Sequence, residues 1–137
     1  MKHIATGFGV VVIIACVTSL RSYAGNEVQD GRVQKGKIWY DKYCTPCHGA
    51  GGAPGSAVFP GTKKRIDLQT YQQRNGGTFP SWRWWDVTFN PQPGAAHTEV
   101  WEKIRDDQRG DGDRDITARG VVSFIEQYVR SIQKEGK

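Results

Sequence analysis

The sequence predicts an all-α domain, with a helix at each end and loops and short helices between them. Three observations carry that prediction. Residues 117–133 set Val121, Val122, Phe124, Ile125, Tyr128, Val129 and Ile132 three and four apart, the repeat of one buried helical face. Residues 31–44, GRVQKGKIWYDKYC, hold Val33, Ile38, Trp39 and Tyr40 near the same spacing. Between these segments, residues 49–65 are rich in Gly, Ala and Pro and have no apolar periodicity, so they form a loop.

In chain order, the first stretch stands apart. Lys2 is followed by a mostly apolar run from Ile4 to Leu20, and Ser22-Tyr23-Ala24 supplies small residues where a signal peptidase reads. Residues 1–24 are therefore expected to be a secretory signal peptide, with a domain over 25–137. Two other readings compete. A retained membrane helix needs about 20 apolar residues, and this run is shorter and holds Thr6, Gly7 and Gly9. Ile13-Ile14-Ala15-Cys16 resembles a lipoprotein box, in which Cys16 would be lipidated, although its first residue is Ile where Leu is usual. Membrane association follows only from one of these two.

The 137 residues indicate one small domain. Lys2 and Arg21 belong to the leader, so 19 basic residues fall to 17 against 14 acidic ones, a net +3. That balance is too slight to define a partner, and nothing here points to nucleic acid. A small domain buries proportionally little surface. Five Trp, five Tyr and five Phe suit a chain wrapped around a large flat cofactor.

The first helix is expected over residues 32–43, ended by Pro46 and the glycines at 49, 51 and 52. A short helix should follow Asp67, over IDLQTYQQR, with NGGTFP as a turn after it. SWRWWDVTF (81–89) is read as another short helix and NPQPGAA (90–96) as a loop. HTEVWEKIRDD (97–107) is a helix with Val100, Trp101 and Ile104 on one face. RGDGDRD (109–115) is a solvated turn, and Asp115 or Thr117 caps the last helix. Asp111, Asp113 and Asp115 alternate like a calcium loop. Ile116 and Val122 nevertheless stand where such a loop needs Gly and Glu.

The chemistry is concentrated in residues 43–52, YCTPCHGAGG. Cys44, Cys47 and His48 have the C-x-x-C-H spacing of covalent haem attachment. The two thiols each bond one haem vinyl group, and the adjacent His48 is the proximal ligand to the iron. Competing readings are weaker. C-x-P-C also marks thioredoxin-like proteins, but those need strands around the motif. A bare disulfide leaves His48 unexplained. A zinc site would need four ligands from Cys44, Cys47, His48 and His97, whose spacing fits no common finger.

With these residues in view, the chain resembles the class I c-type cytochromes, and specifically the bacterial periplasmic members with one haem. Gly36 and Tyr40 stand eight and four residues before Cys44, as a glycine and an aromatic do in that family. Ile125 and Tyr128 match the aliphatic and aromatic pair of its last helix, and DLQTYQQRNGGTFP is similar to a segment of its periplasmic members. The resemblance implies that the N- and C-terminal helices cross, with loops and short helices wrapping one haem c. It also implies a proline after the motif whose carbonyl accepts from the His48 ring. Pro60 fills that role, with Pro54 second.

One departure from the family bears on function. Its members carry a methionine as second axial ligand, near a Met-Pro-Val-Trp pattern before the last helix. The single methionine here is Met1, and Thr98-Glu99-Val100-Trp101 is the nearest match. His97 adjoins that place and is the only histidine beyond the leader other than His48. His97 is therefore the candidate distal ligand. An open sixth position, or Lys63 or Lys64, are the alternatives.

The resulting expectation is a periplasmic electron carrier, not an enzyme, of lower potential than Met-ligated relatives. Its partners would be a redox donor and a redox acceptor protein. The competing functions are binding or sensing of NO, CO or peroxide at an open site, and a haem subunit of a larger oxidoreductase. Trp82, Trp84 and Trp85 are expected to pack on haem or core, or to form a docking patch with Arg83. Lys35, Lys37 and Lys42 would steer an acidic partner or solvate the first helix.

Overall fold

Glycine and aromatic residues at every third or fourth position give the N-terminal segment one face that another helix can approach closely. In the computed structural model, which describes residues 27–89, 95–108, 110 and 112–134, this segment is helical over 27–43 (α1). The chain divides into two compact units, Met1–Gly31 and Arg32–Lys137. Of the first, residues 27–31 are described, and they are helical and exposed. The expected signal peptide, with Cys16 and the expected cleavage site, lies outside the described residues.

In the second unit, α1 is followed by α2 (Thr45–His48), short 3-10 turns at Ala50–Gly52 and Leu68–Thr70, and α3 (Tyr71–Arg74). Then come α4 (Ser81–Phe89), α5 (Ala96–Asp107) and α6 (Arg114–Ser131). An isolated bridge between Val58 and Arg65 is the one β-type pairing among the described residues. The architecture is all-α, as the periodicity predicts. Among the described residues no helix is long and apolar enough to cross a membrane.

α1 meets α6 at Gly36. A Cβ on Gly36 would fall inside contact distance of the Phe124 carbonyl and 2.8 Å from the Tyr128 Cβ, so only glycine fits. One turn on, Tyr40 is 0% exposed and its ring lies 5.2 Å from that of Tyr128. The inward positions are thus Val33, Gly36, Tyr40 and Tyr43. Ile38, expected on this face, is 65% exposed, because the stripe runs 33–36–40–43 and leaves residue 38 outside it.

α6 buries Ala118, Val121, Val122, Ile125, Tyr128 and Val129, in the predicted register. Its cap is Asp113, whose carboxylate accepts from the N–H groups of Asp115 (2.8 Å) and Ile116 (3.3 Å). Asp115, predicted for that role, instead accepts from Arg105 Nε at 2.6 Å. The helix therefore begins a residue before Asp115. α6 also buries Glu126, which accepts from Ser81 Oγ and from Arg130 Nε, both at 2.9 Å. Those bonds tie the start of α4 to α6. Beyond the helix, Gln133 Nε2 donates to the Leu68 carbonyl at 2.8 Å and Lys134 N to the Gln69 carbonyl at 2.8 Å, holding the 68–74 segment in place.

Aromatic residues fill the remaining core. Trp101 and Ile104 of α5 are buried, with Val100 packed beside them, as their spacing predicts. On α4, Trp84 is buried, Trp85 is half-buried and Trp82 is exposed, so the three tryptophans serve different surfaces. The predicted loop over residues 90–96 falls mostly outside the described residues, and its last residue, Ala96, already belongs to α5.

Candidate functional site

Cys44, Cys47 and His48 lie where α1 gives way to α2. α1 ends at Tyr43, and Pro46 falls in the first turn of α2, where a missing N–H leaves no bond unmade. Pro46 therefore helps to start a helix rather than end the preceding one. The N–H groups of Cys47 and His48 donate to the Cys44 carbonyl at 3.1 and 2.8 Å. This single turn fixes the backbone that carries both thiols and the imidazole.

Gly49 closes the turn with φ 76°, outside the ordinary range of a residue with a side chain. Its carbonyl accepts from the Tyr40 hydroxyl at 2.9 Å, so the aromatic that fills the helix crossing also pins the chain just after His48. From the other side, Ala57 N donates to the Cys47 carbonyl at 2.9 Å. A Cβ on Gly55 would lie 2.6 Å from the Gly49 nitrogen, so the loop returns against the motif without room for a side chain.

His97 is the second residue of α5, in the position the sequence suggests. Its ring centroid is 6.0 Å from that of His48, and the two planes differ by 9°. Two imidazoles that bind one metal ion from opposite sides, through bonds of about 2 Å each, have centroids about 6 Å apart. Both rings are half-buried. Burial, and then the neighbouring His97, push the His48 ring down to about 4 from its ordinary 6.5, and burial lowers His97 as well. Both are neutral at pH 7, the form in which imidazole donates to a metal. Among the described residues no three His, Cys, Asp or Glu side chains converge. The two imidazoles are therefore the side chains of this kind that the fold brings near each other at the motif.

The thiols differ. Cys47 is exposed and Cys44 half-buried, and both are free. Burial, and then the adjacent Cys47, push the Cys44 thiol up to about 12. A thioredoxin-like motif needs strands around it, and none flanks Cys44 and Cys47 among the described residues.

Pro60 does not accept from His48. The Nδ1 atom of His48 is buried and has no hydrogen-bond partner. Residues 57–66 pair with one another instead: Phe59 N donates to the Lys64 carbonyl at 3.0 Å and Ile66 N to that of Ala57 at 2.9 Å. Pro60 sits in the exposed turn of that loop, and Pro54 is exposed too. Lys63 and Lys64, the alternative iron donors, are also exposed on it. The Thr45 hydroxyl and the Trp84 indole N–H are likewise buried without a partner.

The lysines of α1 are engaged within the chain. Lys37 pairs with Asp41 at 2.5 Å and Lys42 with Asp107 at 3.0 Å, while Lys35 lies over the Phe124 ring. Sequence reasoning missed the Tyr40–Gly49 bond, which joins residues nine apart and has no local signature. Set against protein-family models, curated proteins and solved structures, the chain shows no match.

Proposed function

We propose that this chain is an exported c-type electron carrier with one haem held by four residues. Cys44 and Cys47 would form the two thioether links, and His48 and His97 would donate to the iron. Bound haem supplies a reversible one-electron couple, and the polypeptide makes and breaks no substrate bonds. The observation that carries this reading is the pairing of two half-buried imidazoles at 6.0 Å, one of them inside a C-x-x-C-H turn.

The protein's contributions follow from its own residues. Covalent tethering holds the cofactor in a chain too small to enclose it fully. The Tyr40 hydroxyl and the returning loop at Gly55 keep the motif turn rigid. Two imidazoles donate more strongly than an imidazole and a thioether, so they favour ferric iron and lower the potential. The leader over residues 1–24 directs the chain to the periplasm, where donor and acceptor redox proteins are its partners.

The test is His97→Ala, expressed in a host that attaches haem covalently. The wild type should be low-spin in both oxidation states. The variant should become high-spin and bind CO without first displacing a side chain. An unaltered low-spin spectrum would exclude His97 as ligand.

A further inference from the structure

Trp82 is the most exposed large apolar residue described, at 73%. It does not stand on a flat surface. On one side lies a groove of about 520 Å³ lined by Trp82, Trp85, Phe89, Asp86 and Arg119. On the other lies a second groove, of about 460 Å³, whose lining includes Phe79 and Pro80. Trp82 is the wall the two grooves share.

We propose that this face binds a second copy of the chain. A ridge flanked by grooves complements itself under two-fold rotation, since the ridge of each copy enters a groove of the other. The charges have the same property. Asp86 and Arg119 line one groove, both are exposed, and neither forms an ion pair among the described residues. A two-fold arrangement can bring Asp86 of each copy to Arg119 of the other, whose guanidinium lies over the Phe89 ring at 5.1 Å within its own chain. An apolar centre with opposite charges at its edge is the usual anatomy of a specific interface.

A consequence follows that rests on the haem reading, while the interface does not. Trp85 stacks on Phe89 at 4.3 Å, and Phe89 meets Trp101 edge-on at 5.0 Å. Trp101 lies one turn beyond His97 on α5. The interface is therefore one end of an unbroken aromatic line to the helix that carries the distal ligand.

Sedimentation of the haem-loaded protein over a range of concentrations tests the proposal. The wild type should show a monomer–dimer equilibrium. Trp82→Ala, an exposed position whose change leaves the fold intact, should weaken association about thirty-fold or more. Asp86→Arg and Arg119→Asp should each weaken it, and the double reversal should restore it. A wild type that is monomeric throughout overturns the proposal, as does a dimer indifferent to Trp82→Ala or to the single reversals. Absorption spectra of the same samples report the haem separately, so a failed interface and a failed haem assignment remain distinguishable.

Discussion

The helix crossing and the motif turn lie side by side in the chain, yet they are finished to different degrees. At the crossing, Gly36 admits the α6 backbone, Tyr40 is fully buried with its hydroxyl bonded, and Tyr43 donates to Asp107 at 2.9 Å. Around the motif, His48 Nδ1 and Thr45 Oγ1 are buried without partners. An unpaired buried polar group is costly and rare in a completed structure. The protein alone completes the first region. The second leaves two buried polar atoms that no described residue satisfies.

Substitutions can break or sharpen this contrast. The largest effect should come from Gly36→Val. Its neighbour is the Phe124 backbone, which cannot turn aside, so we expect a loss of about 3 kcal/mol or more in thermal unfolding. Glu126→Ala removes the acceptor shared by Ser81 and Arg130. It should cost about 2 kcal/mol without altering the visible spectrum. Tyr40→Phe keeps the packing and deletes the bond to Gly49, for about 1 kcal/mol. Because that bond anchors the motif turn, this variant should also change the spectrum slightly, as Glu126→Ala should not.

The smallest effect is one of pH. Hydrogen bonds from Lys42 and then Tyr43 hold the Asp107 carboxyl below its usual range. A carboxyl lowered on folding stabilises above its unfolded value, about 3.9, and that contribution is lost as pH falls through the lower folded value. Asp107→Asn should flatten the acid limb of a plot of Tm against pH. Added salt should do the same to the wild type, since the pair is exposed.

What was legible in the sequence was local. The α6 stripe, the short helix at 81–89 and the α5 face depend on residues three or four apart. So does the C-x-x-C-H turn. Long-range features were not legible. Glu126 reads as a solvated charge until Ser81, 45 residues away, is brought beside it. Pro60 had the right distance from His48, but the pairing of 57–66 moved it to a turn. The Asp113 cap was obscured by neighbouring residues of equal capping ability. His97 could be singled out because the chain after Met1 lacks methionine, and the fold places its ring 6.0 Å from that of His48.

The most direct test of the central claim is pulsed EPR on oxidised protein grown with ¹⁵N-labelled histidine. Two labelled nitrogens coupled to one low-spin ferric centre are predicted. A single coupled histidine nitrogen, or a protein that carries no iron after expression with the haem-attachment machinery, would contradict the account.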